Sequence, residues 1–141
     1  MSDDDLMRDI LTRAKTIAVV GLGPKPDRPA HGVAEYLRDA GYTILPINPG
    51  HAGKEILGAM TYASLADAPA PIDLVDIFRN PEAAAEVIEE AIRLKDEKAI
   101  QAVWMQSGIR HEGAMEKARA AGLKAVQDRC TMMAHRRLVA G

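Results

Sequence analysis

Five short apolar runs rich in β-branched residues recur along the chain at a spacing of about 25–30 residues, with helical stripes between them. No other feature constrains the fold as strongly. A strand, a helix and a second parallel strand close only as a right-handed unit, so repetition builds a parallel sheet covered on both faces. The runs are Thr16–Val20, Thr43–Ile47, Asp73–Phe78, Ala99–Trp104 and Leu123–Val126. Leu6, Met7, Ile10, Leu11 and Ala14 form an amphipathic stripe before the first run. Val33, Ala34, Leu37 and Ala40 form the next, with Gly41 placed to end that helix. Asn80 reads as an N-cap with Pro81 at the first helical position, ahead of a stripe of Ala84, Val87, Ile88, Ala91 and Ile92. In that helix Glu89 is expected to pair with Arg93. A further helix is expected around Glu112–Ala121, and a last helical turn in Thr131–Leu138. Pro46 lacks an N–H, so the second strand is imperfect or near an edge. Residues 49–71 read as irregular, with one helical turn at Ser64–Asp67. The expectation is one α/β domain over residues 1–141: a Rossmann-like, doubly wound, five-stranded parallel sheet of order 3-2-1-4-5.

Composition agrees with a soluble domain: 48% hydrophobic and 27% charged residues over 141 positions. Eighteen basic against 20 acidic residues leave a net charge of −2, which argues against non-specific nucleic-acid binding. A single cysteine excludes an internal disulfide framework and any CxxC site. No apolar run approaches the ~18 residues of a membrane span. Ser2-Asp3-Asp4-Asp5 is the reverse of a secretory leader, so a cytoplasmic protein is expected.

Ligands of such sheets bind beyond the carboxyl ends of the strands, so the residues after each run are the ones to inspect. The first is followed by Gly21-Leu22-Gly23-Pro24-Lys25-Pro26-Asp27-Arg28-Pro29. It begins like a dinucleotide fingerprint, but Pro26 stands where the third glycine belongs. Two glycines, three prolines and two bases at this position favour a phosphate site over a stiff solvated loop. Asn48-Pro49-Gly50 follows the second run, where an NAD site would carry an acid for the ribose. It reads equally as a turn or as a site tolerating a phosphorylated ribose. After the third run, Phe78 either packs on an adenine or pantetheine or belongs to the core. Arg79, beside a helix N-terminus that repels cations, reads as an anion contact. After the fourth, past Gln106, Ser107-Gly108-Ile109 gives a small-residue turn before a helix, a second approach to the ligand, while Trp104 reads as core.

Taken in order, Val20-Gly21-Leu22, Pro24 to Pro29, His31, Asn48-Pro49, Asp73 to Asp76 with Phe78-Arg79, Trp104 and Gln106 with Gly108-Ile109-Arg110, and Asp128-Arg129-Cys130 resemble the small stand-alone CoA-binding proteins. That family is similar to the CoA-binding domain of the succinyl-CoA synthetase alpha subunit. The resemblance implies a Rossmann-like fold holding CoA across the strand ends. It would set Gly21, Gly23, Lys25 and Arg28, with Leu22 and Pro24 between them, at the nucleotide phosphates. Asn48 and Pro49 would lie at the adenosine, and Phe78, Arg79, Gly108 and Ile109 along the nucleotide and pantetheine, with Gln106 and Cys130 as further cofactor-binding residues. Family members often carry serine where Gly23 and Ala30 stand, and Glu where Ala134 precedes His135.

Cys130 follows the fifth run, with Arg129 and His135 near in sequence; it is either a thiol able to exchange with the CoA thiol or a buried structural cysteine. The four histidines have no metal-site spacing, and neither a GxSxG elbow nor a Walker A sequence occurs. The expected function is binding of CoA or acyl-CoA without turnover, alone, as a homo-oligomer, or beside an acyl-transfer enzyme. The alternatives are an NAD(P)-binding oxidoreductase subunit, and an interaction module that has lost its ligand.

Overall fold

The computed structural model describes residues 2–140. The five apolar runs form one parallel sheet: β1 (Thr16–Val20), β2 (Thr43–Ile47), β5 (Leu74–Ile77), β6 (Ala102–Met105) and β7 (Lys124–Val126). The irregular stretch holds two short strands, β3 (Glu55–Ile56) and β4 (Ala59–Met60), paired antiparallel. Their two-residue loop, Leu57-Gly58, has positive φ at both positions, the mark of a type I′ hairpin. The expected helical turn appears as a 3₁₀ turn over Leu65–Asp67. The helices are α1 (Asp3–Arg13), α2 (Pro29–Asp39), α3 (Pro81–Arg93), α4 (Lys95–Lys98), α5 (Glu112–Ala120) and α6 (Thr131–Leu138). The tail is thus a full eight-residue helix rather than one turn.

The sheet is doubly wound. Ala18, Val20, Val75, Ile77, Val103 and Met105 face α3 and α5, while Ile17, Val19, Leu74 and Trp104 face α1, α2 and α6. Successive strand residues take opposite faces, so these buried strands read as continuous apolar runs. Trp104 is core, as expected, and its indole N–H donates to the Arg129 carbonyl at 2.8 Å. Glu89 does not bond Arg93; it reaches across to Lys117 of α5 at 2.9 Å.

The strand order is β2-β1-β5-β6-β7. Counted over the five parallel strands this is 2-1-3-4-5, so the third strand lies beside the first instead of outside the second. Pro46 gives the physical reason. Its carbonyl accepts from Tyr62 N–H on the side away from β1. The N–H and C=O of one strand residue share a side, so the missing donor also lies on that outer edge, where no strand needs it. A third strand outside β2 would have required it.

Ala99 and Ile100 precede β6 and do not belong to it. Ala99 is left-handed (φ 55°) and closes α4, so the strand begins at Ala102.

Candidate functional site

The sheet order reverses between β1 and β5, and there the chain opens a cleft of about 820 Å³ beyond the strand ends. Gly21 sets the approach of the two strands. Its φ is +97°, and a Cβ there would stand 2.5 Å from the Phe78 carbonyl oxygen. Glycine is therefore required by protein backbone, not by a phosphate. Gly23 is different: a Cβ added there would lie 3.9 Å from its nearest neighbours, Asn48 and His51, so the loop is open at that point.

The remainder of the loop forms one wall. Pro24, Lys25 and Arg28 lead into α2, which Pro29 starts at its first position. Arg28 is the N-cap and offers no side-chain bond to the helix. The first turn also has no acidic residue, so the positive end of this dipole is uncompensated at the cleft. Lys25, Arg28 and Arg79 are all exposed, and none forms an ion pair among the described residues. The facing wall is Phe78, half-buried, with Arg79. Asn80 caps α3 by accepting from Ala83 N–H at 2.9 Å, as its position implied.

Gln106, Gly108, Ile109 and Cys130 complete the cleft. Gly108 is left-handed and donates its N–H to Asp128 Oδ1 at 2.7 Å. Asp128 is itself left-handed (φ 56°), a conformation costing an ordinary residue about 1–2 kcal/mol, and it also pairs with Arg110. It thereby ties the loop after β6 to the loop after β7. The Gly108 bond and the Arg110 cation hold its carboxyl below the usual range. Cys130 is half-buried at the start of α6. His135 is not poised as a cation beside it. Its Nδ1 is 2.9 Å from Tyr36 Oη, the rings of Tyr36 and Tyr42 meet it edge-on, and burial lowers its pKa.

Three of the expected site residues lie outside the cleft walls. Leu22 is fully buried in the core. Asn48 ties loops together, donating to the Leu22 carbonyl at 3.2 Å and accepting from Gly50 N–H at 3.0 Å; Pro49 starts the short turn behind it. Ser107, of the small-residue turn, lines the cleft as expected, and His51 lines it without having been singled out. Sequence position offered no sign of His51, which lies in the irregular stretch.

Beneath the floor lies a group to which the sequence reading gave no role. Asp76, in the middle strand, is fully buried. Its Oδ1 accepts from Gln106 Nε2 at 2.6 Å and its Oδ2 from Thr131 Oγ1 at 2.9 Å. Burial pushes its carboxyl up to about 7, against the downward pull of those two bonds. A charged residue inside an apolar strand is the signal that could have marked it.

With this geometry in view, the comparisons with known proteins decide the family. Residues 15–136 match the CoA binding domain family. The chain belongs to that family. YneT of Bacillus subtilis is 38% identical over 129 residues, covering 92% of this chain and 91% of YneT. A solved protein from Pyrococcus horikoshii is 41% identical with a TM-score of 0.88, over 98% of this chain and 93% of that one. One from Thermus thermophilus is 43% identical with a TM-score of 0.89, over 97% of this chain and 99% of that one. An ADP-forming acetate–CoA ligase of Archaeoglobus fulgidus is 31% identical over 127 residues, though the chain spans only 18% of that ligase. The Rossmann-like α/β fold stands on the same footing. No described helix is long and apolar enough to cross a membrane.

Proposed function

We propose that the cleft binds coenzyme A or an acyl-CoA, in the cytoplasm and without turnover of its own. The observation that carries this reading is the set of three cations, Lys25, Arg28 and Arg79, with no ion pair among the described residues, around one cleft at the switch point of a CoA-binding-family fold. An anion there meets charge-assisted donors and the uncapped start of α2 together. In this reading the phosphates lie among Gly21, Gly23, Pro24, Lys25 and Arg28. The adenosine lies toward the loop that Asn48, Pro49 and Leu22 brace. The pantetheine arm runs past Phe78 and Arg79 to Gly108, Ile109, Gln106 and Cys130. The absence of an acid after β2 weighs against NAD, whose ribose hydroxyls such an acid would bind. The match to a segment of an acetate–CoA ligase supports a role beside an acyl-transfer enzyme.

Isothermal titration with CoA and with NAD tests this. CoA is expected to bind more tightly. Equal or tighter NAD binding, or no CoA binding, overturns the reading.

A further inference from the structure

Gln106 is 4% exposed, yet it forms part of the cleft wall. Its amide nitrogen donates to Asp76 Oδ1 at 2.6 Å and to Thr131 Oγ1 at 2.8 Å. A side-chain amide has two hydrogens, so both are committed. Thr131 Oγ1 accepts one of them and donates its own hydrogen to Asp76 Oδ2. Turning the amide over would give up both Nε2 bonds, to Asp76 and to Thr131, so the pair fixes which end faces away. Oε1 is the remaining end. It has no hydrogen-bond partner among the described residues, and it is not one of the sealed, unsatisfied polar atoms.

The charge layout gives this oxygen a role. Lys25 and Arg28 stand on the β1 side of the cleft, while Gln106 follows β6 on the other side. A ligand is therefore met by positive charge at one end and by an oriented, uncharged acceptor at the other. An anion suits the first place and an uncharged N–H suits the second.

We propose that Gln106 Oε1, oriented by Asp76 and Thr131, is the acceptor for an amide N–H of the ligand's pantetheine arm. This rests on the reading of the cleft as a CoA site. Gln106 is then a specificity residue, and Thr131 and Asp76 are positioning residues acting through it.

The test is titration of CoA and of adenosine 3′,5′-bisphosphate, which lacks the arm, against wild type and variants. Gln106→Met is expected to weaken CoA about tenfold and leave the bisphosphate unchanged. Thr131→Val, which leaves Gln106 in place, is expected to cause a smaller loss confined to CoA, and Thr131→Ser to restore it. If Gln106→Met does not fold, the Thr131 pair decides alone. Equal losses for both ligands, or none for either, overturn the assignment while leaving CoA as the ligand. Failure of the wild type to bind CoA overturns the reading of the cleft and this assignment with it.

Discussion

Two glycines in one loop do different physical work, and substitution separates them. Alanine at Gly21 must adopt φ near +97° and place its methyl within 2.5 Å of a carbonyl oxygen. Gly21→Ala is expected to lower stability by about 2 kcal/mol or more, whereas Gly23→Ala should stay within about 0.5 kcal/mol. Urea denaturation of both measures the contrast. Asp76 makes a second prediction. Its folded-state pKa, about 7, lies above the unfolded value of 3.8, so the folded protein holds a proton that the unfolded chain releases. The resulting stability is fully present below about pH 3.8 and is lost as pH rises through 7, on the order of 4 kcal/mol. His135 is lowered by burial and acts oppositely, its contribution being lost as pH falls below 6.5. The difference between wild type and Asp76→Asn cancels that part. Between pH 5 and 8 the wild type should lose stability relative to the variant, as read from denaturation midpoints at each pH. The glycine was visible in the sequence because a Gly at a strand end is a backbone signal. The triad was not, because Asp76, Gln106 and Thr131 meet only when β5, the end of β6 and the start of α6 come together.

Helix α2 carries a conflict between stability and binding. An arginine at its N-cap provides no cap bond and adds positive charge where the dipole is already positive. A serine would cap the helix. Arg28→Ser is therefore expected to raise the stability of the ligand-free protein by about 1 kcal/mol while weakening CoA at least tenfold. Thermal melting and titration should move in opposite directions; a variant less stable and equally tight would show that Arg28 serves the fold. The long, periodic helices were legible because their stripes bury a face, as in α3. The start of β6 was not, since Ala99 and Ile100 are as apolar as a strand but close α4 through a left-handed residue. The hairpin of β3 and β4 escaped too, because its turn is Leu57-Gly58 rather than the Asn-Gly that signals type I′.

At the scale of the whole molecule, the class of fold follows from the spacing of the apolar runs, whereas the strand order depends on one edge. Pro46 carried that information: a strand lacking an outward N–H belongs at the border, which sets the third strand beside the first and opens the cleft between them. The cleft's charge is equally a matter of placement. The chain as a whole is slightly acidic, at −2, yet three cations with no ion pair among the described residues surround one cleft. All three are exposed, so their attraction for a polyphosphate is open to screening, and the Debye length falls from about 10 Å at 0.1 M salt to about 3 Å at 1 M. CoA affinity should therefore fall steadily as sodium chloride rises from 0.05 to 0.5 M, roughly tenfold or more across that range. In the Lys25→Ala/Arg79→Ala double variant the salt slope should flatten as the affinity itself drops, because the charges that screening weakens have gone. The arm's hydrogen bond to Gln106, away from that rim, should keep its arm-specific increment at every salt concentration. A salt-independent wild type would mean that the phosphates sit elsewhere, on neutral backbone donors rather than on these side chains.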